Sequence, residues 1–199
     1  MRKVVGISDA NGSKGYASKR DLFDKLGTGL RPSKADDKWH MGHMWLFWEK
    51  GAGPHPPYRG YYPDGSDLPK RIWDNPSQLR RYLINNSVKG VYRVDKSACE
   101  IMEADPDQHT HREKTWSIDK IQKYLIETLC HIPTGVTEVE FGRYSCNEEL
   151  TDCHNCSSWA LWVINQVDEN LVKCDRPKRL QQVERSIWGD HLNPSEKGD

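Results

Sequence analysis

The chain has 199 residues and equal numbers of basic and acidic side chains, 29 Lys and Arg against 29 Asp and Glu. This length fits one domain with extensions, and the balanced charge excludes a global field that would draw the protein onto nucleic acid or an anionic membrane. Hydrophobic residues make up only 36% of the chain, but eight Trp and eight Tyr concentrate buried area in few side chains. We therefore expect a hydrophobic core whose secondary-structure elements are joined by long polar loops.

The first residues predict a protein made in the cytoplasm. Met1 to Asp9 contains no apolar run long enough for a signal peptide or a membrane span. Six cysteines in 199 residues are too sparse for a disulfide scaffold, and a cytosolic protein keeps them reduced. Residues 8–38 are rich in Gly, Ser, Lys and Asp, with one short helical candidate at Lys19 to Leu26. We expect this segment to be a surface extension.

Met41 to Glu49 alternates as a strand does. His43, Trp45, Phe47 and Glu49 share one face, and apolar residues also occupy the other face, which predicts an internal strand. Residues 50–69 follow with many Pro and Gly among Tyr and Asp, and this composition predicts a long structured loop. Its Tyr-rich part, Tyr58 to Tyr62, is a candidate groove wall.

The middle of the chain predicts helices and strands in alternation. Asn75-Pro76 opens a short helix, because Asn caps and Pro suits the first helical position. Val88 to Asp95 indicates a strand, while Ser97 to Met102 is ambiguous between helix and strand. Ser117 is expected to cap a helix that ends before Pro133. The apolar stripe of that helix is Ile118, Ile121, Leu125, Leu129 and Ile132.

A half-buried strand at Thr137 to Tyr144 leads through a loop to the most distinctive helix of the chain. From Asn155 onward, apolar residues recur at the spacing of one buried helix face, at Cys156, Trp159, Ala160, Val163, Ile164 and Val167. Another helix is predicted from Pro177 to Trp188, followed by a disordered tail.

Cys156 falls in the first turn of its helix, where unpaired N–H groups and the helix dipole favour a thiolate. A nucleophile needs a base, and His43 is the candidate. Each residue also has a plainer interpretation: a cysteine on an apolar helix face is usually a small core residue, and a strand histidine is usually a hydrogen-bonded core residue.

Three short motifs link the two residues. Gly42-His43-Met44-Trp45 lies on a strand, Gly60-Tyr61-Tyr62-Pro63 in the following loop, and Asn155-Cys156-Ser157-Ser158-Trp159-Ala160 opens a helix. This order resembles the circularly permuted NlpC-type cysteine peptidase superfamily, which includes lecithin:retinol acyltransferase-like proteins and bacterial amidase toxins. The resemblance implies an α+β, papain-like fold, with a small antiparallel sheet packed against the cysteine helix and the histidine strand placed before it in the chain.

The resemblance covers Trp39 to Val167. It therefore divides one overall domain into an N-terminal extension at 1–38, a papain-like catalytic region at 39–167, and a C-terminal helix and tail at 168–199.

The same resemblance implies the roles of the site residues. Cys156 takes the position of the nucleophile and His43 that of the base, with no cofactor and no metal. The third group, which orients the imidazole, is less defined. Glu49 shares the strand face of His43 but lies about 20 Å further along an extended strand, and Asp95 and Asp64 are comparable candidates.

The implied function is a cysteine hydrolase that cleaves amide bonds through an acyl-enzyme. Its substrates would be peptides, peptidoglycan peptides or a host protein, and its partners would include a cognate immunity or inhibitor protein, without nucleic acid or membrane insertion. As a bacterial effector or toxin it would be exported without a cleavable signal. An acyltransferase or a deamidase could use the same fold.

A zinc-stabilised binding module without catalysis is the competing hypothesis. Cys146, Cys153 and Cys156, with His154 or His131, have the chemistry of zinc ligands, although a second pair at the usual spacing is missing. Cys146 and Cys153 could instead form a disulfide in an oxidising compartment.

Overall fold

The structure is a computed structural model that describes residues 6–8, 14–16, 24–31, 42–48, 58–104, 111–119, 122, 124–126 and 138–189. In chain order its elements are β1 (Gly6–Ser8), β2 (Lys14–Tyr16), β3 (Asp24–Arg31), β4 (His43–Trp48), β5 (Arg59–Pro63), α1 (Lys70–Trp73), α2 (Pro76–Asn85), β6 (Val88–Val94), α3 (Lys96–Ala104), β7 (Arg112–Ile118), β8 (Glu138–Tyr144), β9 (Cys153–His154), α4 (Cys156–Ile164) and α5 (Leu180–Trp188).

Seven of these strands form one sheet in the order β7-β3-β4-β5-β6-β8-β9, while β1 and β2 pair separately. Neighbouring strands of the large sheet are antiparallel except β8 and β9, which are parallel. The protein is therefore an α+β protein. Its sheet is larger than expected, and it is mixed because the two-residue strand β9 joins β8 just before α4.

Strand β4 lies inside this sheet and buries side chains on both faces, as its sequence predicts. Met44 and Leu46 join the main core, which also contains apolar residues of α4 and α5. Trp45 and Phe47 point the other way and pack with Ala98 and Ile101 of α3. The strand that carries His43 is therefore held between two packed layers.

The main core is built around the aromatic side chain of Trp159 on α4. This residue is fully buried, its ring stacks on Tyr61 with centroids 5.6 Å apart, and the ring of Tyr92 lies 4.9 Å away. Tyr61 also donates a hydrogen bond to the Arg143 carbonyl at 2.8 Å. These contacts fix α4 against β5 and β6.

Strand β3 corrects the expectation that residues 8–38 form a surface extension. It pairs with β4 on one side and β7 on the other, and Leu26, Thr28 and Leu30 are fully buried. The helix predicted over Lys19 to Leu26 is wrong where it overlaps β3, and residues 19–23 lie outside the described residues.

Two other predicted elements need correction. Residues 50–69 were expected to be loop throughout, but β5 lies within them. Ser117 and Ile118 end β7 instead of opening a helix. Helical residues follow at 122 and 124–126, where Asp119 accepts a hydrogen bond from the Gln122 N–H.

The stripe expected on that helix is only partly observed. Ile118 is in a strand and Leu125 is 43% exposed, while Ile126 is buried. Residues Ile121, Leu129 and Ile132 are outside the described part of the chain.

The other helices and strands predicted within the described residues agree with the structure in kind, whereas the tail that is expected to be disordered lies outside the described residues. Asn75 caps α2 by accepting from the Ser77 and Gln78 N–H groups, and the ambiguous segment is helix α3. Strands β6 and β8 lie where the pattern predicts them, and α5 begins three residues later than expected. None of the described helices is long and apolar enough to cross a membrane.

Candidate active site

Helix α4 presents Cys156 as its first residue. The Asn155 side chain accepts a hydrogen bond from the Ser158 N–H at 2.8 Å, and the Ser158 hydroxyl accepts from the Asn155 N–H at 2.9 Å. This reciprocal pair is a capping box, which fixes where a helix begins. The Asn155 amide and the Ser157 hydroxyl also donate to the Lys178 carbonyl, so the segment before α5 is tied to the start of α4.

His43 lies beside Cys156 at the first position of β4. It follows Gly42, whose φ of 76° is a conformation that favours glycine. The imidazole and the Met44 N–H lie close enough to the Cys156 side chain for hydrogen bonding to shift its pKa. Only 14% of the His43 side chain is exposed. The two residues singled out in the sequence therefore meet in space.

Asp95 contacts the other side of the imidazole. Its Oδ2 atom is 2.5 Å from His43 Nε2. The carboxylate is fully buried, and its Oδ1 atom accepts from the Ala98 N–H at 2.8 Å. Asp95 therefore caps α3 and orients His43 at the same time.

The Tyr62 hydroxyl completes the hydrogen bonds around this carboxylate. It donates to Asp95 Oδ1 at 2.8 Å and lies 3.0 Å from His43 Nε2. Burial and the nearby Asp95 charge raise the pKa of Tyr62, so the phenol stays protonated. The Arg93 guanidinium lies 4.5 Å from the centre of the Tyr62 ring and packs it in place.

Gly60 makes the contact between Asp95 and His43 possible. Strand β5 lies between β4 and β6, so the Asp95 side chain has to reach across it. A Cβ atom at Gly60 would collide with Asp95 Oδ2. The missing side chain leaves the space that the carboxylate occupies.

The electrostatics of the three groups favour an ion pair. Burial alone lowers the pKa of His43, but its hydrogen bonds to Asp95 and Cys156 outweigh burial and raise that pKa from 6.5 to about 10. Burial alone raises the pKa of Cys156, but the imidazole and the Met44 N–H bring it below its usual value. At neutral pH the arrangement therefore favours a thiolate beside an imidazolium.

Cys156 opens into a groove of about 470 Å³. Its floor includes His43, Tyr144, Cys146 and Cys156, and its walls come from α2 and from the segment that leads into α5. The nucleophile candidate is therefore reachable from solvent, although most of His43 and all of Asp95 are not. No family model, curated protein or solved structure matches this chain.

Asp64, another candidate for the third group, does not take part in this contact. It accepts hydrogen bonds from the Ser66 N–H and hydroxyl, which stabilise a turn after β5. Of the two candidate carboxylates within the described residues, Asp95 is the one that contacts His43. Glu49 lies outside the described residues.

The zinc hypothesis required several ligands to converge. Within the described part of the chain, no group of three or more His, Cys, Asp or Glu side chains is placed to hold a metal ion. Cys146 and Cys153 are free thiols, and His154 is 3.3 Å from the Ser158 hydroxyl, with a pKa that burial lowers to about 4. His131 is not among the described residues.

Sequence reasoning missed the roles of Gly60 and Tyr62. Both lie in the motif Gly60-Tyr61-Tyr62-Pro63, which was interpreted as a loop. Neighbouring tyrosines in a strand face opposite sides, so Tyr61 enters the core while Tyr62 faces the imidazole. If the segment is a strand, this alternation predicts that only one of the two tyrosines lies in the core.

Proposed function

We propose that this protein is a cysteine hydrolase that cleaves an amide bond through an acyl-enzyme. The observation that carries the proposal is that Cys156, His43 and Asp95 lie next to one another in this order, with Cys156 and His43 lining a groove. A thiol, an imidazole and a carboxylate in this order form the arrangement that activates a sulfur nucleophile.

Each group has a chemical task in the proposed reaction. The Cys156 thiolate attacks the amide carbonyl carbon, forming a C–S bond and placing negative charge on the oxygen. The backbone N–H of Cys156 is at the first position of α4, where helix N–H groups lack intrahelical acceptors, and it stabilises this oxyanion. Collapse breaks the C–N bond, and the departing nitrogen takes a proton from His43.

The second half regenerates the thiolate. His43, now neutral, accepts a proton from water, and the resulting hydroxide attacks the thioester carbon. The C–S bond breaks and the acid product leaves. Asp95 stays ionised throughout, because it is hydrogen-bonded to the imidazole, Tyr62 and the Ala98 N–H, and these bonds outweigh burial to lower its pKa. An amine in place of water would give acyl transfer, and a primary amide substrate would give deamidation.

We further propose that the fold is a circularly permuted papain-like one. Two features support this assignment: the histidine strand precedes the cysteine helix in the chain, and that helix packs against the strands β4 and β5. By the same resemblance, we propose a bacterial effector or toxin that acts on peptidoglycan peptides or a host protein and is held in check by an immunity protein.

The test of the proposed function is site-resolved alkylation with iodoacetamide from pH 5 to pH 9. In the wild type, Cys156 should react well below the pH at which an ordinary thiol ionises, and His43→Ala should lose that reactivity. Cys146 is the internal control, because burial raises its pKa to about 11. A Cys156 that reacts no faster than Cys146, or equally in both proteins, would refute the proposal.

A further inference from the structure

The walls of the Cys156 groove are positively charged. Its described lining contains Arg80 on α2 and Lys178 and Arg179 before α5, and it contains no Asp or Glu. Arg179 is already paired, since its Nε atom is 2.5 Å from Glu148 Oε1. Arg80 makes no ion pair with a described carboxylate, and the charge of Lys178 acts on the exposed Asp175.

Arg80 and Lys178 line the groove from two different elements, α2 and the segment before α5. Arg80 is close enough to Cys146, on the floor, for its charge to act on that thiol. The backbone of Lys178 is held close to the start of α4, because its carbonyl accepts from Asn155 and Ser157. Both cations therefore belong to the lining that also contains Cys156.

An apolar side chain accompanies Arg80 on the same wall. Ile84 lies one helical turn further along α2, where positions i and i+4 share a face. It is 45% exposed and lines the groove. The wall thus offers a guanidinium for a carboxylate and an apolar contact next to it.

The reacting groups carry a net negative charge, so an acidic substrate needs nearby cations in order to bind. A thiolate, an imidazolium and a carboxylate together carry one net negative charge, which repels a substrate of the same sign. The charges of Arg80 and Lys178 at the groove change the net charge of the site from negative to positive.

Building on the proposed function, we propose that the groove selects acidic peptides, with a substrate carboxylate beside Arg80 and Lys178 and the scissile acyl carbon at Cys156. The specificity would then come from α2 and the segment before α5, which lie outside the Cys156, His43 and Asp95 contact. A neutral peptide of the same shape would bind less well.

The test uses two covalent probes that differ only in charge, the chloromethyl ketones of acetyl-glutamate and acetyl-glutamine. We expect wild-type Cys156 to react faster with the glutamate probe. Arg80→Gln and Lys178→Gln should each lower this ratio by roughly three-fold, the factor expected for one partly solvated charge. The matched control is Arg81→Gln, because Arg81 is the next residue on α2, is exposed, and does not line the groove.

The outcomes separate this inference from the proposed function. Equal rates for the two probes, or a ratio that Arg81→Gln lowers as much as Arg80→Gln, would overturn the acidic specificity while fast iodoacetamide labelling left the hydrolase proposal standing. Slow labelling of Cys156 by iodoacetamide as well as by both ketones would overturn both proposals.

Discussion

Replacing Asp95 by Asn tests the core of the proposed mechanism. The carboxylate lies 2.5 Å from His43 Nε2, a separation at which an opposite charge shifts a pKa by about 1–3 units. At about 1.4 kcal/mol per unit, losing this charge costs the imidazolium about 1.4–4 kcal/mol. The pKa of His43 should therefore fall from about 10 by about 1–3 units, so the imidazolium that pairs with the thiolate is lost at a lower pH than in the wild type.

The substitution is conservative for the fold. Asn is as good a helix cap as Asp, so the bond from the Ala98 N–H and the start of α3 should be kept. We expect the free energy of unfolding to change by less than about 1 kcal/mol, whereas Asp95→Ala should lose the cap as well. This difference separates the electrostatic role of Asp95 from its structural role.

The assay is the rate of Cys156 alkylation by iodoacetamide as a function of pH. For Asp95→Asn the inflection of the profile that reports deprotonation of His43 should move to lower pH by about 1–3 units, while the acid limb should not move to higher pH, because the Asp95 charge itself raises the pKa of Cys156. The matched control is Asp64→Asn, which removes a carboxylate that contacts Ser66 instead of the imidazole and should leave the profile unchanged. A folded Asp95→Asn protein with the wild-type profile would refute the reasoning.

Three further predictions follow from the same contacts. Gly60→Ala should place a Cβ atom against Asp95 and, by weakening the bond of the carboxylate to the imidazole, lower the pKa of His43 measured by NMR titration, and a wild-type pKa in the variant would contradict the proposed space for the carboxylate. Cys156→Ala should lower the pKa of His43, measured by NMR titration of its imidazole, because the thiolate is one cause of the raised value; an unchanged pKa would show that the two side chains do not interact. Trp159→Ala should cost about 3–5 kcal/mol in urea unfolding, because the ring is fully buried, and a loss below about 1 kcal/mol would contradict its central place in the core.

Cys156 and His43 could be proposed as a pair from the sequence because their signals are local. Asn155 is a helix cap and Cys156 follows it, so the cysteine is placed in the first turn by neighbouring residues alone. His43 lies in a strand whose alternation is visible over a few residues. Asp95 is different, since its contact with His43 depends on the register of β4, β5 and β6 and on the absence of a side chain at Gly60.

The missed strands were hidden by glycine and proline. Gly27 and Gly29 make β3 resemble a loop, because glycine is depleted in strands. A Cβ atom at these positions would collide with the rings of Phe47 and Trp45 on the neighbouring strand. The two glycines are therefore explained by packing against rings of the neighbouring strand. The local sequence around β3 does not show these contacts.

Strand β3 also sets a limit on how far the chain can be shortened from its N-terminus. A fragment beginning at Trp39 would keep Cys156 and His43 but would lack β3. One edge of β4 and one edge of β7 would then have no partner strand. Arg31 of β3 is paired with His43 of β4. Without β3, the backbone of His43 would therefore become an exposed sheet edge. Such edges promote aggregation, and tolerance of truncation depends on the backbone hydrogen bonds that are lost. Residues 24–31 should therefore be retained in any shortened protein intended for activity measurements.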